Sequence, residues 1–264
     1  MMILGTQDKD FFPADLKEKF AFIKEIGFDC FEIDGKVLTD HVQEVKEAAR
    51  SSGLKISSAC GGYRGWIGDF IEERRLNGIA DLKEILKLIS EVGGTGVVVP
   101  AAWGMFTYRL PPMTSPRSVK GDRAAILDSL SQLDPVAKEY GVYLYLEPLN
   151  RYQDHMLNTI SDAVSIIDEG GFERVKITGD FYHMAIEEDD ISESLKKYAK
   201  YYGHIHIAEN HRYQPGTGSI DFARHMNTLK EIGYEGAVVN EGRVRGENPL
   251  EAYKASIPYM RQFI

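Results

Sequence analysis

Only two cysteines, Cys30 and Cys60, and two tryptophans occur among the 264 residues. Two thiols cannot staple a chain of this length, and the opening Met-Met-Ile-Leu-Gly has neither the basic stretch nor the apolar core of a secretory leader. Both cysteines are read as buried thiols in a reducing compartment, so the cytoplasm is the expected location. No run of about 18 apolar residues is present, which excludes a membrane-spanning helix. Positive charge is short as well: 31 Lys and Arg stand against 40 Asp and Glu, a formal net charge of −9, whereas binding a phosphate backbone calls for a basic face. Neither membrane nor nucleic acid is an expected partner. Linkers rich in Pro, Gly or Ser are missing, as are repeats of solenoid period, so residues 1–264 are expected to form one domain.

What the chain does have is alternation. Short β-branched or apolar runs are followed by longer stretches of helical period, the pattern of a parallel sheet with crossover helices. Eight runs are visible, near Ile3–Gly5, Cys30–Ile33, Lys55–Ala59, Gly96–Pro100, Val142–Glu147, Val175–Asp180, Gly203–Ile207 and Ala237–Glu241. Helices show as apolar residues at spacings of three and four, as in Leu82, Ile85, Leu86, Ile89 and in Leu195, Tyr198, Ala199, Tyr202. Pro13 and Pro249 suit first turns, and Asn158-Thr159 suits the start of a helix ending near Gly170-Gly171. A doubly wound open sheet would place a glycine-rich phosphate turn after its first strand, but here that strand runs into Thr6-Gln7-Asp8. The expected fold is therefore α/β, a (β/α)₈ TIM barrel, which typically needs about 250 residues. Two connections, 60–77 and 101–121, are longer than the architecture requires, as loops that carry function often are.

In such a barrel the chemistry sits at the C-terminal ends of the strands. Four consecutive strands end on metal-ligand residue types: the fifth on Glu147, the sixth on Asp180, the seventh on His206 and the eighth on Glu241. Any one of these alone is better explained as a helix cap or a solvated loop residue. Four in succession are not, because charges gathered at a barrel mouth must be paired, hydrated or bound to a cation. Three carboxylates and an imidazole suit Mn²⁺ first, with Mg²⁺, Co²⁺ or Zn²⁺ as alternatives. His204 lies two residues before His206 on the same strand face and is assigned a structural place behind it. His183 is expected in the loop above the metal, within reach of a substrate oxygen. Arg212 is a candidate for gripping a hydroxyl or phosphate, with a surface ion pair as the competing explanation. Pro215-Gly-Thr-Gly218 is too short for a phosphate cradle and reads more simply as a turn. His41, His155 and His225, in or beside expected helices, receive no role.

The segments Glu147-Pro-Leu-Asn-Arg151, Asp180-Phe-Tyr-His183-Met-Ala-Ile-Glu-Glu-Asp and His206-Ile-Ala-Glu-Asn-His-Arg212-Tyr-Gln-Pro-Gly-Thr-Gly218 closely resemble the D-tagatose 3-epimerase and D-psicose 3-epimerase group of the xylose-isomerase-like superfamily. The likeness covers the half of the chain from Val142 onward. It implies that Glu147, Asp180, His206 and Glu241 hold one divalent metal, that Glu147 and Glu241 transfer protons, that His183 and Arg212 bind substrate oxygens, and that the protein is a homo-oligomer, a dimer or tetramer. The chemistry agrees independently: a metal on the carbonyl and neighbouring hydroxyl stabilises a cis-enediolate, and glutamates on opposite faces of the carbon invert it. These epimerases usually carry a second glutamate six residues after the first catalytic one, whereas this chain has Gln153, which keeps a hydrogen bond to substrate but loses the charge. The expected activity is a ketose 3-epimerase-like sugar epimerase. Alternatives on the same scaffold are an aldose–ketose isomerase acting on a sugar or sugar phosphate and an inosose or keto-sugar dehydratase. Further off stand a non-catalytic sugar-binding barrel and a phosphodiesterase like endonuclease IV, whose extra cluster histidines are replaced here by Cys60-Gly-Gly and Pro100-Ala-Ala.

Overall fold

The structure is a computed structural model that describes residues 1–109 and 112–264; positions 110 and 111, inside the long connection 101–121, lie outside the described residues. Eight parallel strands close into a barrel in sequence order: β1 (Ile3–Thr6), β2 (Cys30–Asp34), β3 (Lys55–Cys60), β4 (Gly96–Pro100), β5 (Tyr143–Glu147), β6 (Val175–Asp180), β7 (Tyr202–Ile207) and β8 (Ala237–Asn240). Closure is made by β1 against β8, with Ile3 opposite Ala237 and Thr6 opposite Asn240. Helices α1 (Leu16–Glu25), α2 (Gly35–Ser52), α3 (Glu72–Glu91), α4 (Val119–Tyr140) and α5 (Ile160–Gly170) follow the first five strands. After β6 come α6 (Phe181–Glu187) and α7 (Ile191–Lys197), after β7 α8 (Phe222–Glu231), and after β8 α9 (Pro249–Arg261). No helix among the described residues is long and apolar enough to cross a membrane.

The strand period of two separates two environments. Leu4, Phe31, Ile33, Ala59, Val97, Val99, Leu144, Leu146, Ile177, Ile205, Ile207 and Val238 face outward into one large apolar core shared with the helices. Inside the barrel, a small apolar plug of Cys30, Ala237 and Val239 lies at the bottom. Above it the interior is polar, with Glu32, Ser58, Thr178 and His204 all buried. TIM barrels usually fill this space with branched apolar side chains. A polar filling is tolerable only if each group has a partner, and that requirement ties the interior to the site above it.

Local signals account for most boundaries. Thr159 caps α5 in a reciprocal box with Asp162, Gly171 ends that helix at φ 60°, and Pro249 opens α9. Three local expectations fail. Pro13 precedes α1, whose cap is Asp15. The helical period around Leu195 stops at Lys197; a short 3₁₀ turn follows, and Tyr202 already opens β7. Tyr198 and Tyr202 satisfy a helical four-residue spacing while serving two different elements. His183 sits not in a loop but in the first turn of α6, buried.

Candidate active site

Asp180 shows how one residue meets two demands. Its Oδ1 caps α6, accepting from the backbone N–H of Tyr182 at 2.7 Å. Its Oδ2 turns the other way, toward Glu147, His206 and Glu241. The ordinary cap and the special ligand type are thus the two oxygens of one carboxylate. Donor atoms of Glu147, Asp180, His206 and Glu241 all lie within 4.8 Å of one another. His206 Nδ1 is 3.0 Å from Glu147 Oε1, 2.5 Å from Glu241 Oε2 and 3.8 Å from Asp180 Oδ2. One ring nitrogen carries at most one proton, so it cannot satisfy three carboxylates. Arg212 supplies a fixed cation, 2.5 Å from Asp180 Oδ2 and 2.9 Å from Glu241 Oε2. With His206 neutral as a ligand, three carboxylates, two buried and one partly open, against one guanidinium leave a charge that a divalent cation would neutralise, and oxygen donors with one imidazole suit that cation's chemistry. The four residues fit a metal.

The opposite face of His206 explains why Nδ1 points at the carboxylates. Its Nε2 lies 2.8 Å from Oε1 of Glu32, a fully buried residue on β2. The other Glu32 oxygen accepts from Ser58 Oγ at 2.6 Å and lies 2.8 Å from His204 Nε2, while Gln7 Nε2 donates to Oε1 at 2.8 Å. Burial would raise the Glu32 pKa, but the two histidines hold it well below the usual carboxylate range. An anion on Nε2 keeps the proton there and leaves Nδ1 free as a ligand. Glu32, His204 and His206 also form a compact donor group, in which each imidazole lies 2.8 Å from one oxygen of the same Glu32 carboxylate. His204 is stacked on Tyr145, 5.2 Å between rings, which fixes it behind His206 as its strand position suggested. Glu32 was not singled out in the sequence. Its signal is faint: one acidic residue between Phe31 and Ile33, on the inward parity of a short strand.

His183 accepts a hydrogen bond at Nδ1 from the backbone N–H of Asn150, 2.9 Å away. Burial, partly offset by Asp180, lowers its pKa to about 4. The ring is therefore neutral near pH 7 with its proton on Nε2, and His183 lines the cavity above the carboxylates. Asn150 is fully buried and holds it there, a second residue that sequence alone left without a role.

Arg212 is the one described non-glycine residue with positive φ, at 62°. Such a conformation costs on the order of 1–2 kcal/mol and persists only where its surroundings impose it. Backbone bonds bracket it: Arg212 N–H donates to Glu209 O at 2.8 Å, Glu209 N–H to Tyr213 O at 2.9 Å and Arg243 N–H to Arg212 O at 2.9 Å. The buried Glu209 carboxylate accepts from Gly216 N at 2.8 Å and Ile220 N at 3.1 Å, folding the Gly216-Thr-Gly218 turn around itself. This turn binds a carboxylate of its own chain, so it offers no phosphate cradle. Arg212 is not a surface ion pair either. It stacks over Tyr182 at 4.7 Å and belongs to the charge cluster.

The cluster opens into a cavity of ≈ 320 Å³ lined by Tyr63, Trp66, Trp103, Leu149, Gln153 and His183. Cys60 lines it too and is only half-buried, in contrast to the fully enclosed thiol expected; its neighbour in that expectation, Cys30, is buried. Glu147 and Glu241 differ sharply. Burial and the nearby Glu241 carboxylate push Glu147 up to about 7. At Glu241 burial acts the same way, but Arg212 and His206 overcome it and hold the group well below the carboxylate range.

Residues 20–263 match the model of the xylose isomerase-like TIM barrel family. The chain belongs to that family. Its sequence is 56% identical over 98% of its length to the 3-dehydro-D-guloside 4-epimerase of Escherichia coli, of which it covers 99%. It is 32% identical, over 86% of its length and 77% of the relative's, to a D-psicose 3-epimerase of Enterocloster bolteae. The apo crystal structure of a 3-keto-D-glucoside 4-epimerase from E. coli superposes with a TM-score of 0.97 over 99% of this chain and 100% of that one, at 56% identity. Within the family the chain is a sugar epimerase, related to the ketose 3-epimerases as the second-half motifs implied.

Proposed function

We propose that this protein inverts C4 of a 3-keto-hexoside, with Glu147 and Glu241 as the proton-transferring pair. The carrying observation is that these two carboxylates come from different strand ends, converge on one ring nitrogen and hold opposite protonation tendencies. Carboxyl groups whose environments drive their pKa values apart make an acid and a base at one pH. A ketose with its carbonyl at C2 is epimerised at C3, and a hexoside with its carbonyl at C3 at C4: the same step, one carbon along. Identity of 56% to a 4-epimerase favours the second register over the 3-epimerase one.

Glu147, Asp180, His206 and Glu241 would hold a divalent cation, Mn²⁺ by preference, which supplies Lewis-acid stabilisation of charge developing on the carbonyl oxygen. Glu241, ionised and partly open to the cavity, removes the proton from the carbon beside the carbonyl. Glu147 delivers one to the opposite face. Arg212 keeps Glu241 ionised and in place, while neutral His183 donates from Nε2 to a substrate oxygen. Gln153, on the cavity wall, offers both an amide donor and an acceptor to a ring hydroxyl, where a glutamate would offer acceptors only.

The test is NMR of a methyl 3-keto-glucoside incubated with the Mn²⁺-loaded protein in D₂O. Deuterium should enter C4 with inversion, and Glu241→Gln should cut the rate by at least about 100-fold, as loss of a positioned base does. Exchange confined to C1 or C2 of aldoses and ketoses, or elimination of water from the keto-sugar, would replace the proposal with an isomerase or a dehydratase.

A further inference from the structure

A second cavity, ≈ 670 Å³, adjoins the first and shares Arg212 and Glu241 with it. Its walls are the β1–α1 connection, Gln7 to Phe11, and the β8–α9 connection, Gly242 to Val244 with Pro249. Lys9 lines this second cavity. Its pKa is lowered to about 8, chiefly by burial, with Glu241 opposing and Arg212 assisting. Among the described residues no carboxylate lies within 4.0 Å of Lys9 Nζ and no hydrogen bond satisfies it; its nearest neighbour of note is the Tyr253 ring, 5.7 Å away. A half-buried ammonium facing a cavity, with no protein partner for its three donors, is free to donate to whatever occupies that cavity.

The reacting ring and this lobe are related by simple stereochemistry. C1 and C4 lie across a pyranose from each other. With the C3–C4 edge at the carboxylates, the C1 substituent must leave the ≈ 320 Å³ cavity, which at that size accommodates little more than one sugar. The adjoining lobe is the space open to it across Glu241. Its lining suits hydroxyls better than an anion: Asp8 and Asp10 flank Lys9, and Phe11 offers an apolar face. Of the lobe's other cations, Arg212 is held by Asp180 and Glu241 and Arg243 is stacked on Tyr213 at 5.1 Å, so neither waits for a phosphate.

We propose that the Lys9 lobe is a second subsite, which binds the aglycone of a glycoside when that aglycone is another sugar, so that the preferred substrates are 3-keto disaccharides. This inference rests on the 4-epimerase reading. The deciding quantity is a ratio: kcat/KM for a 3-keto disaccharide over kcat/KM for the methyl 3-keto-hexoside, from deuterium entry at C4. In the natural protein it should exceed about 10, and Lys9→Met should bring it down about tenfold, in keeping with a charge-assisted hydrogen bond. A ratio near one in the natural protein, or one that Lys9→Met leaves unchanged, would overturn the subsite. The same ratio is measured by calorimetry as Kd values for the unoxidised disaccharide and methyl glycoside. If no ketoside takes up deuterium the 4-epimerase reading falls, while the Kd ratio still decides the subsite.

Discussion

At the scale of single residues, buried charge is the organising fact. Glu32 never touches the cavity, yet it is fully buried with Gln7, Ser58, His204 and His206 arranged on its two oxygens. Replacing it by Gln would leave the shape nearly unchanged and remove the anion that keeps the His206 proton on Nε2. Glu32→Gln should weaken Mn²⁺ binding about 10- to 100-fold, the usual cost of losing a partner behind a ligand; competition with a fluorescent chelator measures it, and unchanged affinity would show that His206 is oriented by other contacts. His183 gives a pH dependence of definite sign. Its folded pKa, about 4, lies below the ordinary 6.5. The unfolded chain therefore takes up a proton that the folded chain refuses, so stability is fully present above 6.5 and is lost as pH falls toward 4. Urea unfolding on either side of that window should show the loss, and His183→Gln should flatten it.

Elements carry these residues with different degrees of legibility. The strands were readable because their runs are short and apolar and because β5, β6, β7 and the turn after β8 each end on a donor. Asp180 was recognisable as a ligand type, but its split between cap and cluster appears only when β6 meets α6. Glu32 and Asn150 were not legible, since their work is to hold His206 and His183, and a partner 174 or 33 residues away leaves no local pattern. Helical spacing misled at Tyr198 and Tyr202, where packing and not periodicity decides. The β7–α8 connection offers a test of its own. A Cβ on Gly218 would lie 2.5 Å from Glu209 Oε2 and 2.4 Å from Asn210 Oδ1. Both side chains are pinned by backbone N–H groups of the same turn. Gly218→Ala should thus destabilise by about 1–3 kcal/mol, as overpacking does, and should raise KM by loosening Arg212. Equilibrium unfolding paired with steady-state kinetics reads both effects.

For the whole molecule, the polar barrel interior and the cluster above it share one electrostatic account, which a divalent cation would close. Saturating Mn²⁺ at 100 times its Kd should stabilise the fold by about 2.7 kcal/mol, read as a rise of several degrees in unfolding temperature. Glu147→Gln and Asp180→Asn should each reduce the rise, and a protein indifferent to every divalent ion tested would contradict the metal site. All four donors belong to the second half of the barrel, while Glu32, Gln7 and Ser58 belong to the first. The seam where the ends meet is the β1–β8 pairing, joining residues more than 230 positions apart. On the ribosome this seam is the last part of the sheet that can form. Until β8 has emerged, the growing chain has neither Glu241 nor a closed wall, and its acidic interior stays wet. On the proposed mechanism, a nascent chain therefore gains activity only after the last strand and the turn behind it have closed the barrel.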